Sequence, residues 1–145
     1  MIGTLLLVLL GVGGLILPPL QKTGAQQPRK TIEGTWILVS AERGGQKLPD
    51  EGLKGTRLIL NDGHYTCEKD RGTYKVIRGQ GLISPNGMDI TGTEGPNKGK
   101  TLLAIYELEG DTLTICYDLQ GKQRPEEFAT LGSNQFLATY KRAKE

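Results

Sequence analysis

Hydrophobic and polar residues alternate along short runs of this chain, and residues that favour turns separate the runs. The clearest pair is residues 101–108 (TLLAIYEL) and residues 112–119 (TLTICYDL), in which every second side chain is apolar or aromatic. A period of two is typical of β-strands that bury one face. The two runs are therefore predicted to be neighbouring strands joined by a tight turn at Gly110.

Similar runs along the chain predict an all-β fold. They are residues 35–41, 56–61, 64–69, 72–77, 87–91, 101–108, 112–119, 127–130 and 135–142. Asp62-Gly63 predicts a type I′ hairpin, because both residues tolerate a positive φ. Residues 48–55 are long enough only for one helical turn or a loop. Short connections suit a sandwich or an up-and-down antiparallel barrel, and we predict a barrel of eight or nine short strands because closure removes exposed edges.

An uncharged apolar segment precedes the strands. Residues 2–17 are short for a membrane span, which needs about 20 residues, but are typical of a signal-peptide core. The small residues Thr23-Gly24-Ala25 follow it, so we predict a signal peptide at 1–25, a linker at 26–31 and the barrel domain at 32–143. The basic residues follow the apolar run rather than precede it, so a retained anchor at 2–17 is the alternative. Both alternatives place the domain in the periplasm or cell envelope.

The composition is that of one ordinary globular domain. The chain has 145 residues, 37% of them hydrophobic, and a net charge of +2. A net charge this small does not indicate the concentrated basic surface that nucleic-acid binding requires. GTEGPNKGKT, residues 92–101, ends like a phosphate-binding loop, but Glu94 stands where the first glycine is needed, and no helix follows. We therefore predict neither nucleic-acid nor nucleotide binding.

Residues suited to metal binding or catalysis are few. The chain has one histidine, His64, and two cysteines, Cys67 and Cys116. In an exported protein two cysteines suggest a disulfide, whereas two buried thiols are the alternative. No metal site or cofactor is predicted, and no nucleophile–base or paired-carboxylate motif is present. Asp118 and Arg124 flank a turn, where they are predicted to form an ion pair.

Several tyrosines fall on strand faces that are predicted to point into the barrel. A barrel of eight strands either is filled by its own side chains or holds one small ligand. Tyrosines lining a cavity would present an apolar wall with hydroxyl groups that orient a guest. The candidate ligand-binding residues are Tyr65, Tyr74, Tyr106, Tyr117 and, at the predicted rim, Arg124.

We therefore predict a non-catalytic module that binds a small apolar or amphipathic molecule. The first alternative is a protein-interaction or envelope-structural module with a filled core; an enzyme is the less favoured alternative. For the interaction module, the residues of interest are those on the opposite strand faces, where an apolar patch would face outward. These are Ile37, Val39, Leu103 and Ile105.

Two motifs at the ends of the domain carry a resemblance. Gly34-Thr35-Trp36 opens the first predicted strand and Tyr140-Lys141-Arg142 closes the last. This combination resembles the lipocalin-like (calycin) barrels. The resemblance implies that Trp36 plugs the closed end of the barrel, next to Gly34, with Arg142 lying over the indole ring.

A second resemblance covers the chain from about Ile32 to Arg142. Four segments, GTWILVSAERGGQKLPDEGLKG, DRGTYKV, DITGTEGPNKGKT and AIYELEGDTLTICYD, together with the Arg124-Pro125…Phe128 stretch, are similar to an uncharacterised extracytoplasmic domain family of planctomycete bacteria. This resemblance implies a small exported lipocalin-like domain. It implies no catalytic residues, since none are assigned to the family.

Overall fold

A computed structural model of the protein describes residues 31–79, 85–132 and 134–144. The predicted signal peptide at 1–25 and the alternative anchor at 2–17 lie outside these residues, as does the predicted linker except Thr31. Among the described residues, no helix is long and apolar enough to cross a membrane.

The described residues form an all-β, up-and-down antiparallel barrel. Eight strands pair in chain order, and the last pairs with the first to close the sheet; a two-residue strand, β2, adds to the edge of β1. A 3-10 turn at Asp50–Gly52 connects β2 to β3. The strands are β1 (Gly34–Arg43), β2 (Gln46–Lys47), β3 (Arg57–Asn61), β4 (His64–Cys67), β5 (Asp70–Ile77), β6 (Asn86–Glu94), β7 (Thr101–Glu109), β8 (Thr112–Asp118) and β9 (Gln135–Arg142).

Two local features set the strand geometry on one side of the barrel. Asp62 and Gly63 have φ values of 47° and 74°, and Asn61 pairs with His64 across them, which confirms the predicted hairpin. The second feature is a register shift beside Gly72, where β5 pairs with β6. A Cβ at Gly72 would lie 1.9 Å from the Thr91 carbonyl oxygen, so only glycine fits there.

The alternation of side chains along the strands fills the barrel around Trp36 with apolar side chains. Trp36 on β1, Leu113 on β8 and Ala138 on β9 have no solvent exposure. The alternation of buried and outward positions within each strand accounts for the single core.

The glycine-rich stretch at residues 92–101 includes the β6–β7 connection at 95–100. It is therefore a loop between strands, as predicted.

The long β8–β9 connection crosses the outside of the barrel. The Arg124 guanidinium donates to the carbonyl oxygen of Ala104 on β7 (2.8 Å), and the Cys116 thiol on β8 donates to the Ala129 carbonyl (3.4 Å). Thr130 reaches β1, where its hydroxyl donates to Glu42. This cover explains why Ile105, which faces outward between strands that the loop contacts, is only 1% exposed.

Two predictions for this connection are wrong. Residues 127–130 form no strand; they belong to the loop, and their apolar side chains reflect packing rather than sheet pairing. Arg124 does not pair with Asp118; its ion-pair partner is Asp89 on β6, at 2.5 Å.

Asp118 instead holds the start of the same loop. Its carboxylate accepts hydrogen bonds from the backbone N–H groups of Gln120 (3.1 Å), Lys122 (2.8 Å) and Gln123 (2.7 Å). Burial opposes ionisation, but these donors outweigh it and hold the pKa of Asp118 below its ordinary value.

The outward apolar residues are covered unevenly. Val39 on β1 is 45% exposed and Ile59 on the adjacent β3 is 40% exposed. Ile37 and Leu103 are half-buried, and Ile105 is covered by the β8–β9 loop.

Candidate functional site

The barrel encloses a cavity of about 190 Å³ at the end opposite Trp36. The strand order places the β4–β5, β6–β7 and β8–β9 connections at this end, which we call the mouth. The walls combine aliphatic and aromatic side chains with a few polar groups. The lining residues are Leu58, Leu60, Tyr65, Cys67, Asp70, Tyr74, Met88, Ile90, Asn97, Leu102, Ile115, Tyr117, Leu119, Phe136 and Tyr140.

The opposite end, the base, is closed by Trp36 and Arg142. Trp36 is fully buried, and its Nε1 donates to the Ile32 carbonyl oxygen at 2.8 Å. The guanidinium carbon of Arg142 lies 4.2 Å from the centre of the Trp36 rings, so the contact implied by the sequence motif is present. Gly34 lies beside it, since a Cβ there would be 2.9 Å from Arg142 Nη1.

Arg142 also ties the chain before β1 to the base. Its Nη1 and Nη2 donate to the carbonyl oxygens of Glu33 and Thr31, each at 2.8 Å. Its Nε lies 3.4 Å from a carboxylate oxygen of Asp111, an ion-pair distance, but the geometry is not that of a hydrogen bond. The guanidinium is thus fixed by contacts on its face and at its two terminal nitrogens.

A polar cluster lies at the mouth of the cavity. Asp70, at the start of β5, accepts hydrogen bonds at Oδ2 from the Tyr65 hydroxyl (3.2 Å) and from Asn97 Nδ2 (2.6 Å). Its Oδ1 accepts a longer bond, 3.4 Å, from the Asn97 backbone N–H. Gly95 permits this arrangement, because a Cβ there would be 2.4 Å from the Lys69 carbonyl oxygen.

Two further tyrosines form a hydroxyl pair deeper in the cavity. The Tyr117 and Tyr140 hydroxyl oxygens are 3.3 Å apart. Burial raises the pKa of Tyr117 well above its ordinary value, and the Tyr140 hydroxyl raises it further; burial likewise raises the pKa of Tyr140. Both groups are therefore protonated at neutral pH and able to donate a hydrogen bond.

The pKa values of three other lining residues, Tyr65, Tyr74 and Cys67, are shifted in the same direction. Burial, followed by the neighbouring Asp70 carboxylate, raises the pKa of Tyr65 to about 12. Burial is also the main cause of the raised pKa of Tyr74. The pKa of Cys67 is raised by burial, then by Glu68 and Asp70, which keeps this group a thiol rather than a thiolate at neutral pH.

The structure brings together only part of the predicted ligand-binding set. Tyr65, Tyr74 and Tyr117 line the cavity. Tyr106 is buried in the core but is not a lining residue. Arg124 lies outside the barrel wall, where it contacts the carbonyl oxygens of Met88 and Ala104.

The predicted ligand-binding set lacks, among other lining residues, the three that supply polar groups to the site: Tyr140, Asp70 and Asn97. Tyr140 has the same strand parity as the lining residue Phe136, so the alternation of β9 could have identified it. Asp70 and Asn97 lie at the start of a strand and in a loop, 27 positions apart, and no local pattern connects them.

The disulfide that the two cysteines suggested is not formed. Both are free thiols. Cys67 lines the cavity, whereas Cys116 points outward from β8, opposite the lining residue Ile115, and contacts the β8–β9 loop. Side chains on opposite faces of the barrel wall cannot meet without a large rearrangement.

These features define a small closed β-barrel with an interior cavity, sealed at the base and polar at the mouth. In the described part of the chain, no group of three or more His, Cys, Asp or Glu residues is arranged to hold a metal ion. Comparisons with protein-family models, with curated proteins and with solved structures found no match.

Proposed function

We propose that this protein binds one small apolar or amphipathic molecule inside its barrel. The observation that carries the proposal is the cavity of about 190 Å³, whose walls are largely aliphatic and aromatic. A guest that displaces water from these walls is bound favourably, by roughly 25 cal/mol per Å² of apolar surface buried. The hydroxyl groups of Tyr117 and Tyr140 supply the few oriented polar contacts typical of ligand sites.

The size of the cavity limits the guest. Drug-sized ligands occupy pockets of about 300–1,000 Å³, whereas an apolar cavity of about 150 Å³ accepts benzene. A volume of about 190 Å³ therefore suits a molecule of one ring with one or two small substituents. Long fatty acids and multi-ring compounds are too large.

We also propose that the protein works outside the cytoplasm as a lipocalin-like module. The support is the apolar N-terminal segment with its following small residues, and the resemblance carried by Gly34, Trp36 and Arg142. Fusing residues 1–31 to a reporter that is active only after export tests the location. Fusion protein that accumulates in the cytoplasm with an inactive reporter would contradict it.

The binding proposal is tested with purified protein and small single-ring probes. Saturation-transfer NMR with toluene, p-cresol and cyclohexanol should show saturable binding, accompanied by a rise in melting temperature, since binding to the native state stabilises it. The Leu60→Trp variant places an indole in the cavity and should lose this binding. Ile59→Trp is the matched control, because the adjacent side chain points outward and is 40% exposed.

Two results would contradict the proposal. One is the absence of saturable binding for every single-ring probe. The other is equal binding by the wild type and a folded Leu60→Trp variant, which would place the probes elsewhere on the surface.

A further inference from the structure

The cavity contains one charged side chain. Among the lining residues, all of which the structure describes, Asp70 is the only acidic residue, and there is no lysine, arginine or histidine. The tyrosines and Cys67 that line it are neutral at neutral pH, as their raised pKa values show. A guest inside the cavity therefore meets a site with a net negative charge.

Within residues 31–79, 85–132 and 134–144, the hydrogen-bond partners of Asp70 are all neutral. These are the Tyr65 hydroxyl and the side-chain and backbone nitrogens of Asn97. None of the ion pairs among the described residues includes Asp70. In the part of the chain that the structure describes, Oδ1 accepts one hydrogen bond, at 3.4 Å, so this oxygen has room to accept a stronger one. A partly buried carboxylate without a counter-charge is stabilised by a cation that brings its own donors.

The same cavity is rich in aromatic rings. Tyr65, Tyr74, Tyr117, Phe136 and Tyr140 contribute to its lining, and the Tyr117 and Phe136 ring centres are 6.1 Å apart. The negative faces of aromatic rings attract ammonium groups, and their large apolar area favours the body of a small organic guest. The carboxylate at the mouth and the rings below it are therefore complementary to the two parts of an organic amine.

We propose that the ligand class of this cavity is a small protonated amine with an apolar or aromatic body. This inference rests on the proposed binding function and deepens it. The ammonium group donates to Asp70 Oδ1 at the mouth, and the body lies among the aliphatic and aromatic side chains beneath. Carboxylates and phosphates of the same size are disfavoured, because Asp70 repels them and none of the described lining residues is cationic.

Three probes of nearly equal shape separate charge from size: benzylamine, benzyl alcohol and benzoate. Their dissociation constants for the purified wild-type protein at pH 7 are measured by NMR titration. Benzylamine should bind about tenfold more tightly than benzyl alcohol, since hydrogen bonds between charged groups are roughly twice as strong as neutral ones. Benzoate should bind more weakly than benzyl alcohol.

Variants then assign the preference to one carboxylate. Asp70→Asn should reduce the affinity for benzylamine to about that for benzyl alcohol. Asp50→Asn is the matched control, because Asp50 is exposed on the 3-10 turn and is not a lining residue; this variant should keep the wild-type preference.

The outcomes distinguish the two proposals. If none of the three probes binds, the proposed binding function itself fails. If benzyl alcohol or benzoate binds the wild type as tightly as benzylamine, a binding site exists but its selectivity for amines is refuted, and this comparison needs no variant. If folded Asp70→Asn keeps the preference for benzylamine, the assignment to Asp70 is overturned.

Discussion

Replacing Arg142 with methionine removes the cation from the base of the barrel and keeps an unbranched apolar side chain over Trp36. The substitution deletes two hydrogen bonds of 2.8 Å to the carbonyl oxygens of Glu33 and Thr31, together with the contact of the guanidinium with the indole. It leaves the core volume nearly unchanged. We therefore expect a loss of stability without a change of fold.

The size of the loss follows from these contacts. A hydrogen bond to a charged group contributes about 1.5–3 kcal/mol, and a cation over an aromatic ring contributes about 0.5–2 kcal/mol. The Arg142 side chain is 22% exposed and both acceptor residues are exposed, so water replaces part of what is lost. We expect the free energy of unfolding to fall by about 2–3 kcal/mol, which lowers the melting temperature by roughly 10 °C in a domain of this size.

Urea unfolding followed by tryptophan fluorescence measures this change, because Trp36 is the single tryptophan of the chain and lies under the substituted residue. Lys141→Met is the matched control: it removes the same charge from the neighbouring position, where the side chain is exposed and donates a hydrogen bond to the Thr112 hydroxyl. Its effect should be within about 0.5 kcal/mol. If both variants lose the same stability, the guanidinium does not hold the base together and the reasoning is wrong.

Two other predictions concern the barrel wall and the outer loop. Gly72→Ala should lower the free energy of unfolding by about 2 kcal/mol or more, because the new Cβ would lie 1.9 Å from the Thr91 carbonyl oxygen. Gly52→Ala, with nothing within 4 Å, should be neutral or slightly stabilising, and urea titrations that rank the two in the opposite order would contradict this. Asp118→Asn should cost about 1.5–3 kcal/mol at neutral pH. Since the folded pKa of Asp118 is lowered, the carboxylate stabilises the fold above its unfolded pKa of about 4, and this stabilisation disappears as the pH falls through the folded pKa. A difference in unfolding free energy between variant and wild type that stays constant down to acidic pH would refute the role of the carboxylate.

The strands of the barrel could be predicted because each has a local cause. Alternation identified β7 and β8, and Asp62-Gly63 identified the β3–β4 hairpin. Residues 127–130 show where prediction of strands from apolar patterns fails, because apolar residues that cover the outside of a sheet resemble those of a short strand. The strand β2 was missed because its two residues are too few to show a period.

The cavity could be predicted only in part, because its existence depends on the packing of many side chains at once. Parity placed Tyr65, Tyr74 and Tyr117 on inward faces, but it could not separate them from Tyr106, which packs into the core. The location of Arg124 depends on the path of the β8–β9 loop, and no local pattern specifies that path. Such contacts between distant segments become readable only from the folded chain.

The two ends of the barrel place different demands on the sequence. At the base, Trp36 and Arg142 satisfy each other and the preceding backbone, so this end is closed by interactions internal to the protein. At the mouth, the Asp70 carboxylate is held in place by neutral donors and is left without an opposite charge among the described residues. If the site served only stability, we would expect Asp70 to be paired with a cation or replaced by a neutral residue. An unpaired, partly buried carboxylate has a desolvation cost. The cost is understandable if the carboxylate acts on a partner from solution, which is why the amine proposal places the cation of the ligand there.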